Sequence, residues 1–264
     1  MLNNLYYCSV FTEFECFKKK SFIVIALAFS FCVMAQKKNA FKQMQLNYPV
    51  VKAIYEKHWK ALSDSIRSKK ISPDSFNLYF RVFKYEKEFE IWMKNSGDVR
   101  YQLFKTMYLC ATSGDLGPKK YNKDGQIPEG FYAITKFNPN DKYKYLALKI
   151  DFPNAVDREI AEEPLTTSVF IHGTCETTAD IVLDKEDMEQ IYILCVEARN
   201  RKEALYIDIY PCRFSKEAEN MLLNYPKKSI RFWDNIKDAY FYFEENKWLP
   251  RINANNKGKY IYEE

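Results

Sequence analysis

Apolar residues recur along this chain with two different periods. Val51, Tyr55, Trp59, Leu62 and Ile66 are spaced three and four apart, which predicts a helix over residues 42–68 that ends at Ser72-Pro73-Asp74. His58 lies beside that stripe, where a lone histidine is a packing residue before it is a ligand. Residues 76–83, 89–94 and 101–110 then alternate with period two, the signature of antiparallel strands. Further short strands are expected at 131–134, 145–150, 168–172 and 205–210. Asp184 is placed to cap a helix whose apolar positions are Met188, Ile191, Tyr192 and Cys195. Two more helices are marked by Ala218, Met221 and Leu222, and by Trp233, Ile236, Tyr240 and Phe243, before a polar tail. The expected fold is therefore mainly β within the α+β class, with a helix beside the middle strands and helices at both ends.

At 264 residues the chain has room for one sizeable domain. Hydrophobic residues at 47% and charged residues at 28% place it among globular chains rather than disordered ones. Lys18, Lys19 and Lys20 precede an apolar stretch over residues 21–34, then Ala35 and a polar run, the layout of a secretory signal peptide. That stretch is short of the roughly 20 residues a membrane-spanning helix needs. We expect the mature chain to begin at Gln36, in the periplasm, with no stable membrane span after cleavage. The implied divisions are 1–35 signal peptide, 36–75 N-terminal helical segment, 76–250 main domain and 251–264 tail. A net charge of +5 loses one unit with the leader, and so mild an excess is no nucleic-acid footprint. Cys110, Cys175, Cys195 and Cys212 remain of seven cysteines, an even count that permits disulfides in an oxidising compartment.

Four of the seven glycines fall within residues 113–130, so unusual backbone geometry is concentrated in one loop. No GxGxxG or GxxxxGK[ST] pattern is present there, which excludes a nucleotide cradle, and no cofactor is expected. The chemistry is concentrated in residues 169–192, where a strand delivers His172 and Gly173 into a polar turn. His172, Cys175 and Asp180 offer three metal-ligand types within nine residues, but without a paired-cysteine motif we expect no metal.

His172, Gly173, Cys175 and Thr177 match in order the H-G-x-C-x-[ST]-x-G-C signature of the YkuD-type L,D-transpeptidase catalytic domain family, murein branch. Ala179 stands where the second Gly belongs and Asp180 where the nucleophilic Cys belongs. Stretches at 113–119, 126–132, 137–140, 152–158, 209–213 and 232–237 resemble the family's other segments, so the likeness runs from about Asn77 to Glu244. It implies a YkuD-like β-sandwich of two packed sheets and a stem-peptide ligand from peptidoglycan. It also implies site roles for His172, Asp180 and Cys175 in catalysis and for Gly173, Thr177, Asn154 and Arg158 in substrate binding. Cell-wall enzymes and wall-anchored lipoproteins are further partners it brings into view.

In that family a thiolate attacks the stem-peptide carbonyl while a histidine manages the proton. A carboxylate doing the same would form an anhydride and expel an amine, which strongly favours reversal, so Asp180 is unsuited to acyl transfer. Three readings stay open: a degenerate site that binds without turnover, a hydrolase in which His172 and Asp180 activate water, and a site whose nucleophile is Cys175. An interaction protein that recruits wall enzymes through its aromatic surface is the alternative from another class.

Overall fold

A computed structural model of the chain describes residues 40–255 and 257–263, so the signal peptide expected at 1–35 lies outside the described residues. The N-terminal helical pattern is realised as two helices, α1 (Ala40–Leu46) and α2 (Pro49–Ser68). Pro49 causes the break. It supplies no N–H and pushes Tyr48 into an extended conformation, φ −83° and ψ 122°, so the helix restarts at its first-turn proline.

Three antiparallel strands follow, β1 (Phe76–Phe83), β2 (Glu88–Asn95) and β3 (Gln102–Ala111). After the glycine-rich loop come β4 (Gly130–Asn138), β5 (Ala147–Ile150) and the short helix α3 (Ala155–Ile160). Next are β6 (Phe170–His172), β7 (Ile181–Leu183), helix α4 (Lys185–Asn200) and β8 (Tyr206–Tyr210). The eight strands close into one barrel in the order β1-β2-β3-β7-β6-β5-β4-β8, with β1 beside β8 and β6 beside β7 as the parallel pairs. The two packed sheets expected from the sequence are thus a single closed sheet. Alternation reports which face is buried, and it does so identically in a sandwich and a barrel. Closure depends on Tyr79↔Tyr206 and Leu109↔Leu183, pairings between distant strands that no local pattern encodes.

Leu78, Phe80 and Val82 face the barrel core, while Tyr79, Arg81 and Phe83 on the other face of β1 are also buried. The cover is α6 (Lys227–Asn246), preceded by α5 (Lys216–Leu222). Its Phe243 ring packs 4.8 Å from Tyr79 and 4.9 Å from Trp92. Helix α4 is capped by Asp184, whose side chain accepts from the Asp187 amide at 2.9 Å. It is buried nearly all round because α1 and α2 cover its outward side. Its two enclosed acids are satisfied there: Glu189 meets His58 at 2.6 Å and Glu197 accepts from Tyr55 Oη at 3.0 Å. Among the described residues no helix is long and apolar enough to cross a membrane.

The tail read as polar and loosely patterned forms a hairpin, β9 (Arg251–Ala254) paired with β10 (Tyr260–Glu263). Tyr260 is what docks it, packing 4.6 Å from Phe131 and bonding Asn154. Gly130, at φ +135°, leaves the space, since a Cβ there would run into Tyr260 Oη.

Candidate functional site

Strands β6 and β7 run parallel, with Ile171 opposite Ile181 and His172 opposite Val182. The loop between them must return the chain along the strand length, and it does so through left-handed backbone at Cys175 (φ 56°) and Ala179 (φ 113°). The return sets Asp180 beside the start of β6. Its Oδ1 accepts from the Phe170 amide at 2.9 Å and its Oδ2 lies 3.2 Å from His172 Nε2. Lys144, held in the turn before β5 by Asp141, completes the set with an ion pair to Asp180 Oδ2.

The ring of His172 is 2% exposed, and both its nitrogens are engaged, Nε2 by Asp180 and Nδ1 by Thr174 Oγ1 at 2.9 Å. Burial would by itself raise the Asp180 carboxyl's pKa, but hydrogen bonds from His172, Lys144 and the Phe170 amide hold it below the usual carboxylate range. A carboxylate so stabilised as the anion is a weak base.

Cys175, read as a candidate nucleophile, is joined to Cys110 at the end of β3 by a disulfide, so its sulfur offers no thiolate. Cys195 and Cys212 are buried free thiols, whose pKa values burial pushes well up, to about 12 for Cys212. Thr177 turns inward: its hydroxyl donates to the Asp180 carbonyl at 2.7 Å and accepts the Ala179 amide at 3.2 Å, closing the loop on itself. Gly173 donates to the Tyr145 carbonyl at 3.0 Å, and a Cβ on it would stand 2.9 Å from Met188 Cβ, so its role is to let α4 approach the strand. Asn154 and Arg158 are elsewhere. Leu148 pairs with Ile171, which puts His172 towards the Ala147 end of β5, whereas Asn154 lies beyond Ile150 at the other end. There Asn154 caps α3 in a reciprocal bond with Asp157, and Arg158 is exposed. Among the described residues no group of three His, Cys, Asp or Glu is placed to hold a metal.

The glycine-rich loop is anchored from below. The buried Lys84 donates to the carbonyls of Asp115 and Ile127 at 2.7 and 3.0 Å and to Glu129 at 3.0 Å. Glu129 also accepts from the Gly117 amide at 2.7 Å and from Trp233 Nε1 at 2.6 Å. Ser113, at the head of the loop, accepts the Ala179 amide at 2.8 Å and so ties this loop to the one carrying Asp180.

No family model matches the chain. Among characterised sequences, the protein named "Putative L,D-transpeptidase YafK" from Escherichia coli K12 is 30% identical over 187 residues, which cover 70% of this chain and 73% of that protein. The chain belongs to the L,D-transpeptidase family. Solved structures overlap it more loosely. The helical cell shape determining protein Pgp2 from Campylobacter jejuni aligns at TM-score 0.43 and 17% identity, covering 65% of this chain and 60% of that one. Bd1075 from Bdellovibrio bacteriovorus aligns at 0.38 and 18%, covering 65% and 61%.

Three residues of this L,D-transpeptidase-family site escaped the sequence reading: Lys144, Thr174 and Ser113. Lys144 left a trace. An acid in a turn between buried strands needs a cation, and Lys142 and Lys144 head the strand that pairs with β6. Thr174 and Ser113 act through hydroxyls that only the closed loop brings into reach.

Proposed function

We propose that this chain is a periplasmic L,D-transpeptidase-family protein that binds peptidoglycan stem peptides without cysteine-based acyl transfer. One observation carries the reading: Asp180 occupies the position of the expected nucleophile with both oxygens engaged by Lys144, His172 and the Phe170 amide. The group that would have to attack is a stable, ion-paired anion, and the histidine that would have to move a proton is buried with both nitrogens occupied. The same arrangement argues against a hydrolase running on His172 and Asp180, because a base must be free to take a proton from water. Relation to YafK, named a putative L,D-transpeptidase, supports the ligand class, and the leader pattern expected at residues 1–35 supports export. In this proposal residues 76–250 form the ligand-binding domain. The N-terminal helices stiffen it through α4, and Gly173 and Thr177 shape the loop rather than touch ligand.

The full-length chain, with His172→Ala and Asp180→Ala versions, would be incubated with sacculi and defined muropeptides and the products analysed by mass spectrometry. Bound muropeptide with no product from any version is the expected result. New products that vanish in both variants would establish hydrolysis and reverse the conclusion.

A further inference from the structure

A second feature lies on the outer face of the barrel, at the end of β5 away from His172. Alternation along β8 sends Ile207 and Ile209 into the core and turns Tyr206, Asp208 and Tyr210 outward. The β9–β10 hairpin and the segment before it stand off from that face, leaving a cleft of about 770 Å³. Phe131, Tyr206 and Asp208 line its barrel side, Asp151 one rim, and Arg251 and Tyr260 its hairpin side.

Asp208 distinguishes this cleft from an ordinary surface fold. It is 5% exposed, and its Oδ2 accepts from Tyr79 Oη at 2.6 Å and Tyr210 Oη at 3.0 Å, yet its Oδ1 accepts no hydrogen bond from the described residues. Asp208 lines the cleft, so a donor entering it can take the place of water at that oxygen. Burial raises this carboxyl to about 7, with the two tyrosine bonds and Arg81 pulling it back, so it can meet a hydroxyl in either protonation state near neutrality.

The remaining lining narrows the ligand. Asp151 Oδ1 is held by the Ala133 amide at 2.8 Å, and the exposed Arg251 stands opposite Glu263 in the hairpin, both lining the cleft. A cation would meet Arg251, and an anion would meet Asp151 and Asp208. Hydroxyl groups both give and accept hydrogen bonds and suit a wall of mixed character. Tyr206, 47% exposed, offers a ring face beside them, on which the apolar side of a sugar can lie.

We propose that this cleft is a saccharide-binding site, separate from the His172 site, in which a neutral pyranose stacks on Tyr206 and donates a hydroxyl to Asp208 Oδ1. The site does not depend on the stem-peptide reading. It would hold a glycan whether or not the His172 loop binds peptide.

The test titrates the full-length chain by calorimetry with two peptide-free probes, the N-acetylglucosamine tetrasaccharide and maltotetraose. Either probe should bind saturably, and their comparison separates an N-acetylated glycan from a plain glucan. Tyr206→Ala, at an exposed position, and Asp208→Asn should each weaken binding about tenfold, the upper end of what one stacking contact or one hydrogen bond contributes. His172→Ala should bind as the parent does. No saturable binding of either sugar by the parent would overturn the proposal. So would binding that Tyr206→Ala leaves intact, or binding that is lost in His172→Ala, and Tyr206→Ala keeps the test decisive should Asp208→Asn fail to fold.

Discussion

Ala179 holds a backbone conformation, φ 113°, that a side chain resists, at the position to which the sequence resemblance assigns glycine. The turn is dictated by the parallel return from β6 to β7, so alanine is held in a geometry that glycine adopts more readily. Conformations of this kind cost on the order of 1–3 kcal/mol for a residue with a Cβ. Ala179→Gly should relieve part of that, less what glycine loses in unfolded-state entropy. The expected outcome is a urea midpoint higher by the equivalent of about 1 kcal/mol, and an unchanged or lower midpoint would mean that the surrounding loop has adapted fully to alanine. Asp180 is the converse case. Three donors converge on it, so Asp180→Ala strands Lys144, His172 and the Phe170 amide together. Lys144 is partly open to solvent, which lets water compensate, and we expect a loss of about 2 kcal/mol in chemical denaturation. Introducing a thiol tests the same point chemically. Asp180→Cys places sulfur beside the Lys144 ammonium, which lowers a thiol's pKa, so alkylation by iodoacetamide at neutral pH should run faster than that of a free cysteine in the denatured chain.

The loop between β6 and β7 is partly exposed and is held by covalent and polar ties. The Cys110–Cys175 bridge closes a loop with a sequence separation of 65, for which chain entropy alone allows up to about 4 kcal/mol of stabilisation. Reduction, or Cys110→Ser with Cys175→Ser, should lower the thermal midpoint and speed hydrogen exchange over residues 173–180, while exchange in α4 changes little. Identical melting with and without reductant would show that the bridge carries no load. This bridge also marks where legibility in the sequence stops. Strands β1 to β3 and the capped helix α4 were readable because alternation and capping are local and act over a few residues. The pairing of Cys110 with Cys175 was not, since four cysteines allow three connectivities and spacing does not choose among them. Lys144 meets Asp180 from 36 residues away, a match made by the barrel rather than by any motif. The proline break before α2 is written in the sequence at Pro49, but the apolar stripe begins only at Val51 and does not by itself say where the helix starts. The hairpin at the end was missed because its docking residues lie just past the polar stretch and find distant partners, Tyr260 at Gly130 and Phe131, Tyr262 at Phe131 and the Asn235 carbonyl.

At the scale of the whole molecule, two populations of carboxyl groups oppose each other, and their balance sets how stability depends on pH. Asp157 and Asp208 are enclosed on the outer side of the barrel, and burial raises each to about 7. Asp157 is faced by Tyr132, the Asn154 amide, Asp151 and Arg158; Asp208 by Tyr79, Tyr210 and Arg81. In the unfolded chain both return to the ordinary aspartate value of 3.8, so between about 4 and 7 the native state binds more protons than the unfolded state. Stability from these groups therefore increases as pH falls from 7 towards 4, at a rate of about 1.4 kcal/mol per unit of pKa difference. Asp180, Glu90 and Glu244 behave oppositely. Burial acts to raise each, but their ion pairs and hydrogen bonds hold them below ordinary values, so what they contribute is present above the unfolded-state pKa and is lost as pH falls through the folded one. The sum is a maximum on the acid side of neutrality. Urea midpoints measured from pH 3 to pH 8 should rise as the solution is acidified from 8 to about 5 and then fall below about 4. Asp208→Asn, which cannot ionise, should flatten the limb between 5 and 7 while leaving the acid limb in place. A midpoint that instead climbs steadily from pH 5 to pH 8 would mean that the buried acids are ionised in the native state. The energy of the barrel's outer face would then have to be assigned to Arg81 and its neighbours rather than to neutral carboxyl groups held by tyrosine.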